Sequence, residues 1–452
     1  MAKKKIFFEC SSCGHQEPKW TGRCPQCGEW NTFTEGIPQT TPKSASRKHP
    51  GTTPLSSLKA GAGTRFTSGI GEFNRVLGGG IMKGAAILVG GEPGIGKSTL
   101  MIQAADSFPP PGKVLYISGE EAPEQIKMRA DRLGITRDIE ILCEPELESI
   151  LSALRSVKPS MVIIDSIQTL LSPEAGSVPG TPNQLKYCCH ELITWARSAG
   201  SSLFFVAHIT KDGSIAGPKV IEHMVDTVLY FDNSQSDVRF LRSTKNRFGS
   251  VDEIGLFTMT EKGLEEVTDP SSLFLVERAD EIPPGIATVP VYEGSRVLMV
   301  EIQALVVPAK GGLSRTYSDR VDPRRVSRIA AVLEKHLSLR FSDQDLYINV
   351  AGGMNLKETG IDLGVALALY SARTGISVSA DTAVTGELSL AGEIRPIPHL
   401  DKRIKAAGEM GFSKIIGPSP SKRSGKSEKP GDYRKASSLK EAISQVFGKT
   451  GK

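Results

Sequence analysis

The sequence contains no apolar run that approaches the length of a membrane-spanning helix, so we expect no contact with a membrane. Its first residues are charged, but they lack a long apolar stretch and a small-residue cleavage site, and we therefore expect no secretory signal peptide. The formal net charge of +5 is too small to identify a nucleic-acid partner by itself. At 452 residues, with 39% hydrophobic and 23% charged residues, the chain has the composition of a globular protein and the length of about three domains.

The cysteines are too few and too unevenly placed for a disulfide framework. The chain has seven, an odd number, and four of them lie within the first 27 residues. Both features favour a reducing compartment, so a cytoplasmic protein is predicted. We expect the three later cysteines, Cys143, Cys188 and Cys189, to be buried core thiols.

The first four cysteines form two Cys-x-x-Cys knuckles, Cys10 with Cys13 and Cys24 with Cys27. Each knuckle can place two thiolates on one ion, and four thiolates complete a tetrahedral structural zinc site. A thioredoxin-like redox pair is the alternative, but it needs one such motif in a βαβ unit rather than two. The spacing therefore predicts Zn²⁺ bound by all four thiolates.

Folding of this short module should depend on its metal, since the segment is too small to build a core alone. We place the four-cysteine zinc module at residues 1–35 and expect Trp20, Trp30 and Phe33 to cap it with apolar surface. Residues 36–64 are rich in Pro, Thr, Ser, Gly and Lys, which predicts a basic flexible linker.

A glycine-rich segment then fits the phosphate-binding pattern G-x-x-x-x-G-K-S/T, between an apolar strand-like run and a helical pattern. Glycines allow successive backbone N–H groups to turn toward phosphates, and the following helix contributes its positive N-terminal end. In such loops the lysine reaches the β- and γ-phosphates and the serine hydroxyl holds Mg²⁺. The residues predicted to bind ATP are Gly91, Glu92, Pro93, Gly94, Ile95, Gly96, Lys97, Ser98 and Thr99.

Two further apolar runs end in carboxylates. The run 161–165 ends at Asp165 and has the form of a Walker B strand, whose aspartate completes the Mg²⁺ site with Ser98. The run 114–117 leads to Glu120 and Glu121, one of which could orient the attacking water from the carboxyl edge of the sheet. Strands that alternate with helical stretches predict an α/β domain with a parallel sheet.

Several motifs together resemble the bacterial RadA (Sms) family of recombination proteins, and the resemblance covers nearly the whole chain. The motifs are the four-cysteine module, 73–80, the phosphate loop, 118–121, 213–218 and 245–249. The resemblance implies a RecA-like P-loop ATPase core at residues 65–270. It also implies a DNA-dependent, helicase-like ATPase that binds single-stranded and branched DNA and promotes branch migration in recombinational DNA repair. A homo-oligomeric ring, expected to be a hexamer, and a RecA-type recombinase as partner belong to the same expectation.

The resemblance also assigns roles to individual residues. The implied catalytic residues are Lys97, Glu120, Asp165, Lys245 and Arg247. Glu120 matches a water-activating glutamate, whereas Lys245 and Arg247 match a Lys-x-Arg pair that reaches the γ-phosphate of the neighbouring subunit. His208 follows a strand where the family could sense the γ-phosphate, although a histidine hydrogen-bonded within the sheet edge is an equal alternative.

Basic residues cluster in two places. One lies where RecA-like proteins have a DNA-binding loop, and the other lies between residues 309 and 328, where cations greatly outnumber acids. A solvated face is the usual meaning of such a run, but so many unbalanced cations favour a nucleic-acid footprint. The predicted DNA contacts are Lys211, Lys219, Lys310, Arg315, Arg324 and Arg325. Within the second cluster, Asp322 is expected to cap a helix that has Pro323 at its first position.

Residues 271–452 resemble the proteolytic α+β domain of Lon protease and end in a basic segment. That family uses a Ser–Lys dyad, but here Asp362 and Asp401 stand at the two positions. Without an activated hydroxyl no acyl-enzyme can form, so we expect no proteolysis. The alternative functions are an ATP-dependent protease and a regulatory ATPase of the clock-protein type, and DNA-stimulated ATP turnover would separate both from a DNA-dependent motor.

Overall fold

A computed structural model of the chain describes residues 7–10, 15–36, 54, 57, 65–176, 178–208, 217–233, 238–251, 253–276, 282–309, 314–420 and 432–448. Three of the predicted site residues, Cys13, Lys211 and Lys310, lie outside these ranges. The chain divides into two compact units, Met1–Gly61 and Ala62–Lys452. No helix in the described part of the chain has the length and apolar character needed to cross a membrane.

The first unit contains a small antiparallel sheet in the order β2-β1-β3. Its strands are β1 (Phe7–Cys10), β2 (Gln16–Glu17) and β3 (Phe33–Gly36). Two cysteines, Cys10 and Cys24, are buried together with Phe33. The predicted cap is therefore only partly right: Phe33 belongs to the core, whereas Trp20 and Trp30 are 53% and 67% exposed.

The first part of the second unit alternates strands and helices up to residue 233 and then continues as strands alone. Its elements are β4 (Arg65–Phe66), α1 (Gly71–Val76), β5 (Ile81–Met82), β6 (Ala86–Gly91), α2 (Lys97–Asp106), β7 (Val114–Ser118), α3 (Pro123–Arg132), β8 (Glu140–Cys143), α4 (Leu147–Val157), β9 (Met161–Asp165), α5 (Pro182–Ala199), β10 (Ser202–His208), α6 (Gly217–Glu222), β11 (Thr227–Asn233), β12 (Val238–Asn246), β13 (Ile254–Thr260) and β14 (Gly263–Glu266).

Within these described residues, nine strands form one sheet in the order β14-β13-β12-β11-β6-β10-β9-β7-β8. The strands from β11 to β8 in this order are parallel, whereas β12, β13 and β14 continue the sheet antiparallel. Every residue of β6, β7 and β9 is buried, as expected for parallel strands that are covered on both faces. The carboxyl ends of the parallel strands therefore meet at one edge.

One prediction about the sheet is wrong. Cys188 and Cys189 are fully buried in α5, but Cys143 is exposed. The reason is position, since Cys143 ends β8, and β8 is the last strand of the sheet. A short apolar run looks the same in sequence whether its strand is central or at an edge.

The second part of the unit is an α+β fold with a seven-stranded mixed sheet in the order β17-β18-β16-β15-β19-β22-β23, among the residues described. Its elements are α7 (Ser271–Phe274), β15 (Ile286–Glu293), β16 (Arg296–Pro308), β17 (Thr316–Ser318), α8 (Pro323–Leu337), β18 (Gln344–Val350), α9 (Asp362–Thr374), β19 (Thr382–Val384), β20 (Glu387–Leu388), β21 (Ile394–Arg395), α10 (Leu400–Glu409), β22 (Lys414–Gly417), β23 (Asp432–Lys435) and α11 (Leu439–Phe447).

Helix α8 begins as the sequence predicts. The Asp322 side chain accepts a hydrogen bond from the Arg324 N–H at 2.9 Å, and Pro323 occupies the first helical position. This arrangement satisfies an N–H group that has no partner inside the helix. The apolar stripe of the helix, including Val326 and Ile329, is buried against the sheet and α9.

A buried ion pair joins the two parts of the second unit. Arg296, at the start of β16, donates from Nη2 to both carboxylate oxygens of Glu72 in α1, at 2.8 and 2.7 Å. Glu72 also accepts from the Leu256 N–H at 2.9 Å, so its carboxylate connects α1, β13 and the β15–β16 hairpin. A second pair on the same face joins Arg242 of β12 to Glu293 of β15.

The pair predicts a specific loss of stability. Replacing Arg296 with Ala should lower the free energy of unfolding by about 3 kcal/mol, because the Glu72 carboxylate stays buried without its main counter-charge. Arg75 offers a matched control, since it also faces Glu72, at 3.5 Å, but is itself half exposed. We expect Arg75→Ala to cost less than about 1 kcal/mol in the same urea titration. Equal losses for the two variants would contradict the importance of the buried pair.

Candidate nucleotide site and metal centre

Four strands bring candidate residues to one edge of the nine-stranded sheet. In the register of β10 with its neighbours, His208 lies opposite Gly91 of β6, and Val206 lies opposite Asp165 of β9. On the other side of β9, Asp165 lies opposite Ser118, the last residue of β7. The end of β6, the end of β9 and the turn after β7 are thus adjacent. Crevices of this kind at the carboxyl ends of parallel strands are the usual ligand sites of α/β sheets.

The loop between β6 and α2 has the backbone that a phosphate cradle needs. Gly96, immediately before α2, has a φ of +114°, which favours glycine. A Cβ atom at this position would lie 2.8 Å from the Met259 methyl group, so a side chain here would also require Met259 to shift. Helix α2 begins at Lys97, and its first N–H groups point toward the loop.

The Lys97 side chain is 3% exposed and turns back over the loop. Its Nζ donates to the carbonyl oxygens of Gly91 and Glu92, at 2.9 and 2.8 Å. Nζ also lies 3.2 Å from Nδ1 of His208. All three contacts are to neutral acceptors when the imidazole is neutral, so none of the described residues places an anion in direct contact with the ammonium group.

Burial sets the protonation of both side chains. It lowers the pKa of Lys97 from 10.5 to about 8, although the nearby carboxylates of Asp165 and Glu120 partly oppose this shift. Burial also lowers the pKa of His208 below its usual value, and the Lys97 charge lowers it further. Both effects favour the neutral imidazole, whose Nδ1 can accept a hydrogen bond from the Lys97 ammonium group.

Asp165 has a partner that sequence patterns did not reveal. The Tyr116 hydroxyl, in the middle of β7, donates a hydrogen bond to Oδ2 of Asp165. Burial raises the pKa of Tyr116, and the neighbouring Asp165 charge raises it further, so the phenol stays protonated and keeps donating. Tyr116 thereby fixes one carboxylate oxygen and leaves the other available for a cation.

The two neighbouring glutamates after β7 have different partners. Oε1 of Glu120 accepts a hydrogen bond from the Ser166 hydroxyl at 2.6 Å, beside the Walker B strand. The Glu121 carboxylate is instead paired with Arg129 of α3. Of the two, Glu120 is thus turned toward the crevice, whereas the negative charge of Glu121 is neutralised.

Lys245 and Arg247 lie at the opposite ends of the strands, away from the phosphate loop. Asn246 pairs with Thr227, and Thr227 pairs with Ile87 near the start of β6. The phosphate loop begins four residues further along β6, a distance of about 13 Å at the usual rise of a strand. Both side chains point toward residues 222–226: Lys245 donates to the carbonyl oxygens of Glu222 and Val225, and Arg247 pairs with Asp226.

The predicted DNA contacts fall into two groups. Lys219 in α6, Arg315 before β17 and Arg324 in α8 are exposed. Arg325 differs, because only 10% of its side chain is exposed and its Nε donates to Oδ1 of Asp362 at 2.5 Å. The charge of Arg325 is therefore balanced within the protein.

Asp362, which stands at the position of the Lon serine, is completely buried at the start of α9. It accepts hydrogen bonds from Arg325 and from the Leu388 N–H at 3.2 Å. Burial raises the pKa of its carboxyl, and the charge and hydrogen bond of Arg325 oppose that shift. Asp401 lies in the first turn of α10.

Three thiols form the candidate metal centre of the first unit. The Sγ atoms of Cys10, Cys24 and Cys27 lie within 4.8 Å of one another, and those of Cys10 and Cys27 are 3.7 Å apart. Tetrahedral zinc with bonds of about 2.3 Å would separate its sulfur ligands by about 3.8 Å, so the cluster fits zinc. Gly28, with a φ of +78°, closes the second knuckle through a hydrogen bond from its N–H to the Cys24 carbonyl.

Comparisons with known proteins match three segments of the chain. The rubredoxin metal binding domain family matches residues 8–35, the AAA domain family matches 64–214, and subunit ChlI of Mg-chelatase matches 320–421. The DNA repair protein RadA of Treponema pallidum (strain Nichols) is 52% identical over 99% of both chains. The chain belongs to the RadA family. RadA proteins of Bacillus subtilis (strain 168) and Halalkalibacterium halodurans are 44% and 42% identical, over 92% of this chain and 93% of theirs.

Membership of the RadA family confirms the predicted fold class. It is an α/β chain with a RecA-like P-loop ATPase core, an N-terminal zinc ribbon and a C-terminal Lon-like α+β domain, with the ChlI match in this last region. The AAA domain supports ATP as the nucleotide. The rubredoxin-type match and the thiol cluster together support zinc as the metal.

The low pKa of Lys97 predicts how nucleotide binding depends on pH. A bound triphosphate favours the ammonium form, which is already populated below pH 8 in the free protein. Above that pH the protein must take up a proton to bind ATP, so the affinity should fall by up to about tenfold per pH unit. Titrations with a fluorescent ATP analogue between about pH 7 and pH 10 would measure the slope. Lys97→Arg is the control, because arginine keeps its charge over this range and its affinity for the analogue should not change with pH. If the affinity of the unmodified protein is equally independent of pH, the prediction is contradicted.

Proposed function

We propose that this chain is a DNA-repair ATPase that uses ATP hydrolysis to process recombination intermediates and promote branch migration. In this proposal it binds single-stranded and branched DNA, works as a helicase-like homo-oligomeric ring, expected to be a hexamer, and cooperates with a RecA-type recombinase. The observation that carries the proposal is the meeting of Lys97, Asp165, Glu120 and His208 at one sheet edge, in a chain whose relatives are named DNA repair proteins.

The chemistry follows from the contacts at that edge. Lys97 would exchange its two carbonyl partners for the β- and γ-phosphates, which supply the anion that its charge lacks. Ser98 and the free oxygen of Asp165 would hold Mg²⁺, which neutralises charge on the phosphates as the γ-phosphoryl group leaves. Tyr116 would keep Asp165 in this orientation.

Glu120 would activate the attacking water. Its hydrogen bond to Ser166 orients the carboxylate toward the crevice while leaving a second oxygen to accept from water. His208 contacts Lys97 and would therefore respond when a γ-phosphate displaces that contact. This proposal gives Glu121 no catalytic part, since Arg129 already occupies its carboxylate.

Lys245 and Arg247 would complete the site of a neighbouring subunit. They lie at the edge of the sheet opposite to the phosphate loop, so they are too far away to act on the nucleotide of their own chain. A cation supplied in trans stabilises the charge that develops on the γ-phosphate, and such a residue can contribute about 10³- to 10⁵-fold in rate. Assembly into a ring would provide that contact.

The remaining predicted residues would bind DNA. We propose phosphate contacts for the exposed Lys219, Arg315 and Arg324, together with Lys211 and Lys310. The Lon-like domain would not cleave proteins, since Asp362 is buried in an ion pair where a nucleophile would have to be free. Its proposed tasks are assembly and DNA binding.

Turnover with and without single-stranded DNA tests the proposal. We expect DNA to stimulate ATP hydrolysis and Lys97→Ala to abolish it, because the triphosphate loses its cation. Lys127→Ala is the control, since Lys127 is an exposed residue of α3 whose loss removes the same charge. An ATPase rate that is the same with and without DNA, or full turnover by a folded Lys97→Ala protein, would contradict the proposed DNA-dependent activity.

Mixed rings test the trans assignment. Neither Lys97→Ala nor Arg247→Ala should hydrolyse ATP alone, but an equal mixture should, since about a quarter of random interfaces pair an intact loop with an intact Arg247. The matched control mixes Lys97→Ala with Glu120→Gln. These two residues act from the same subunit, so no interface is complete and no activity should return. If both mixtures stay equally inactive although mixed rings form, Arg247 does not act across the interface.

A further inference from the structure

Two of the three tryptophans of the chain lie exposed on the zinc ribbon. Trp20 and Trp30 are 53% and 67% exposed, whereas Trp195 of α5 is partly buried against the core of the second unit. An indole ring has a large apolar surface, and water around it is costly. Exposed aromatic side chains that lie together therefore commonly mark a binding surface.

The two exposed indoles lie close to each other, on either side of one glycine. A Cβ atom built on Gly22 would lie 3.8 Å from Cη2 of Trp20 and 3.9 Å from Cζ3 of Trp30. Both distances correspond to ordinary van der Waals contact. Because Gly22 has no side chain, the space between the two ring edges stays unfilled, and together the rings form one aromatic patch.

Polar contacts hold both rings in place. Nε1 of Trp20 donates to the carbonyl oxygen of Phe33, in the core of the ribbon, at 3.3 Å. The Arg23 guanidinium lies over the Trp30 ring, 5.8 Å from its centroid, and its Nε donates to the Gly28 carbonyl at 3.0 Å. Since the rings are already oriented, a ligand would order few side chains when it binds.

The charge around the patch is positive. Lys19 and Arg23 are both exposed and flank Trp20 in the sequence. Residues 1–64 contain nine Lys and Arg residues against four glutamates and no aspartate, which accounts for the whole formal net charge of +5. The rest of the chain is balanced. The ribbon and its linker therefore carry the charge excess that attracts a polyanion.

We propose that Trp20 and Trp30 form a stacking platform for the bases of single-stranded DNA, with Lys19 and Arg23 contacting the neighbouring phosphates. Exposed aromatic rings beside cations are the usual combination for binding single strands without sequence preference. A polypeptide could also cover two indoles, but the charge excess favours a polyanion. The inference rests on single-stranded DNA as the ligand in the proposed function, and it adds a contact site in the first unit.

Tryptophan emission measures the contact directly, because a base that stacks on an indole quenches its fluorescence. In the full, zinc-loaded Trp195→Phe chain the remaining indoles are those of Trp20 and Trp30, so their emission is observed alone. We expect oligo(dT) to quench it to saturation, at the concentrations at which the anisotropy of a labelled oligo(dT) rises. The reciprocal variant, Trp20→Leu with Trp30→Leu, keeps Trp195 and should show no quenching.

Affinity and its salt dependence separate stacking from charge. Trp20→Leu with Trp30→Leu should weaken oligo(dT) binding at least about tenfold and leave the log–log salt slope unchanged, because stacking releases no counterions. Lys19→Gln with Arg23→Gln should instead reduce the slope by about 1.4, for two lost phosphate contacts. Trp20→Phe with Trp30→Phe is the conservative control and should stay within about threefold of the unmodified affinity, since phenyl rings still stack.

The zinc content of each variant shows whether its ribbon is folded. If a leucine variant loses zinc, the quenching of Trp195→Phe protein and the affinity of the phenylalanine variant decide the question. Bound oligo(dT) that leaves the emission of Trp20 and Trp30 unchanged, or a zinc-loaded leucine variant with unmodified affinity, would overturn the platform and leave the indoles to a protein partner. DNA-stimulated ATP hydrolysis would still support the proposed function in that case, whereas a chain that binds no oligo(dT) would contradict both proposals.

Discussion

A buried ammonium group, that of Lys97, is the constraint on which the nucleotide site depends. A charge removed from water must have acceptors, and here two loop carbonyls and the neutral His208 ring provide them. None of the three carries a negative charge, and the nearby carboxylates of Asp165 and Glu120 offset the cost of burying the Lys97 charge only in part. A bound triphosphate would bring negative charge into direct contact with the ammonium group. The position of Lys97 depends on the positive φ of Gly96, on the order of β6, β10 and β9, and on the buried strands on both sides.

The sequence predicts those parts of the site whose chemistry is local. The phosphate loop, the Walker B strand and the Asp322 cap each lie within a few residues, and the structure has each as expected. The supporting contacts could not be predicted in this way. Tyr116 meets Asp165 across 49 residues of chain, and Ser166 meets Glu120 across 46. Both depend on β7 lying beside β9, and strand order is a property of the whole sheet that no single motif records.

Counting charges along the sequence has a related limit, and Arg324 and Arg325 illustrate it. The two residues are neighbours in a basic run, so composition treats them alike as candidate DNA contacts. In the structure Arg324 faces solvent, whereas Arg325 is turned inward toward Asp362, which lies 37 residues away. The helical rotation of α8 between successive residues separates their environments. The departure from the Lon dyad at Asp362 and the basic run are therefore one structural feature, which the sequence presents as two.

In the proposed ring, the end of the sheet opposite to the phosphate loop would couple hydrolysis to assembly. In the single chain Arg247 is 55% exposed and pairs with Asp226 at 3.2 Å. Asp226 keeps other partners if Arg247 leaves, because it also pairs with Arg197 and accepts from the Ala86 N–H at 3.1 Å. Release of Arg247 would therefore not leave a buried carboxylate alone. A neighbouring triphosphate carries several negative charges against the single charge of Asp226, so the Coulomb term favours transfer of Arg247 to the nucleotide wherever two subunits bring them together.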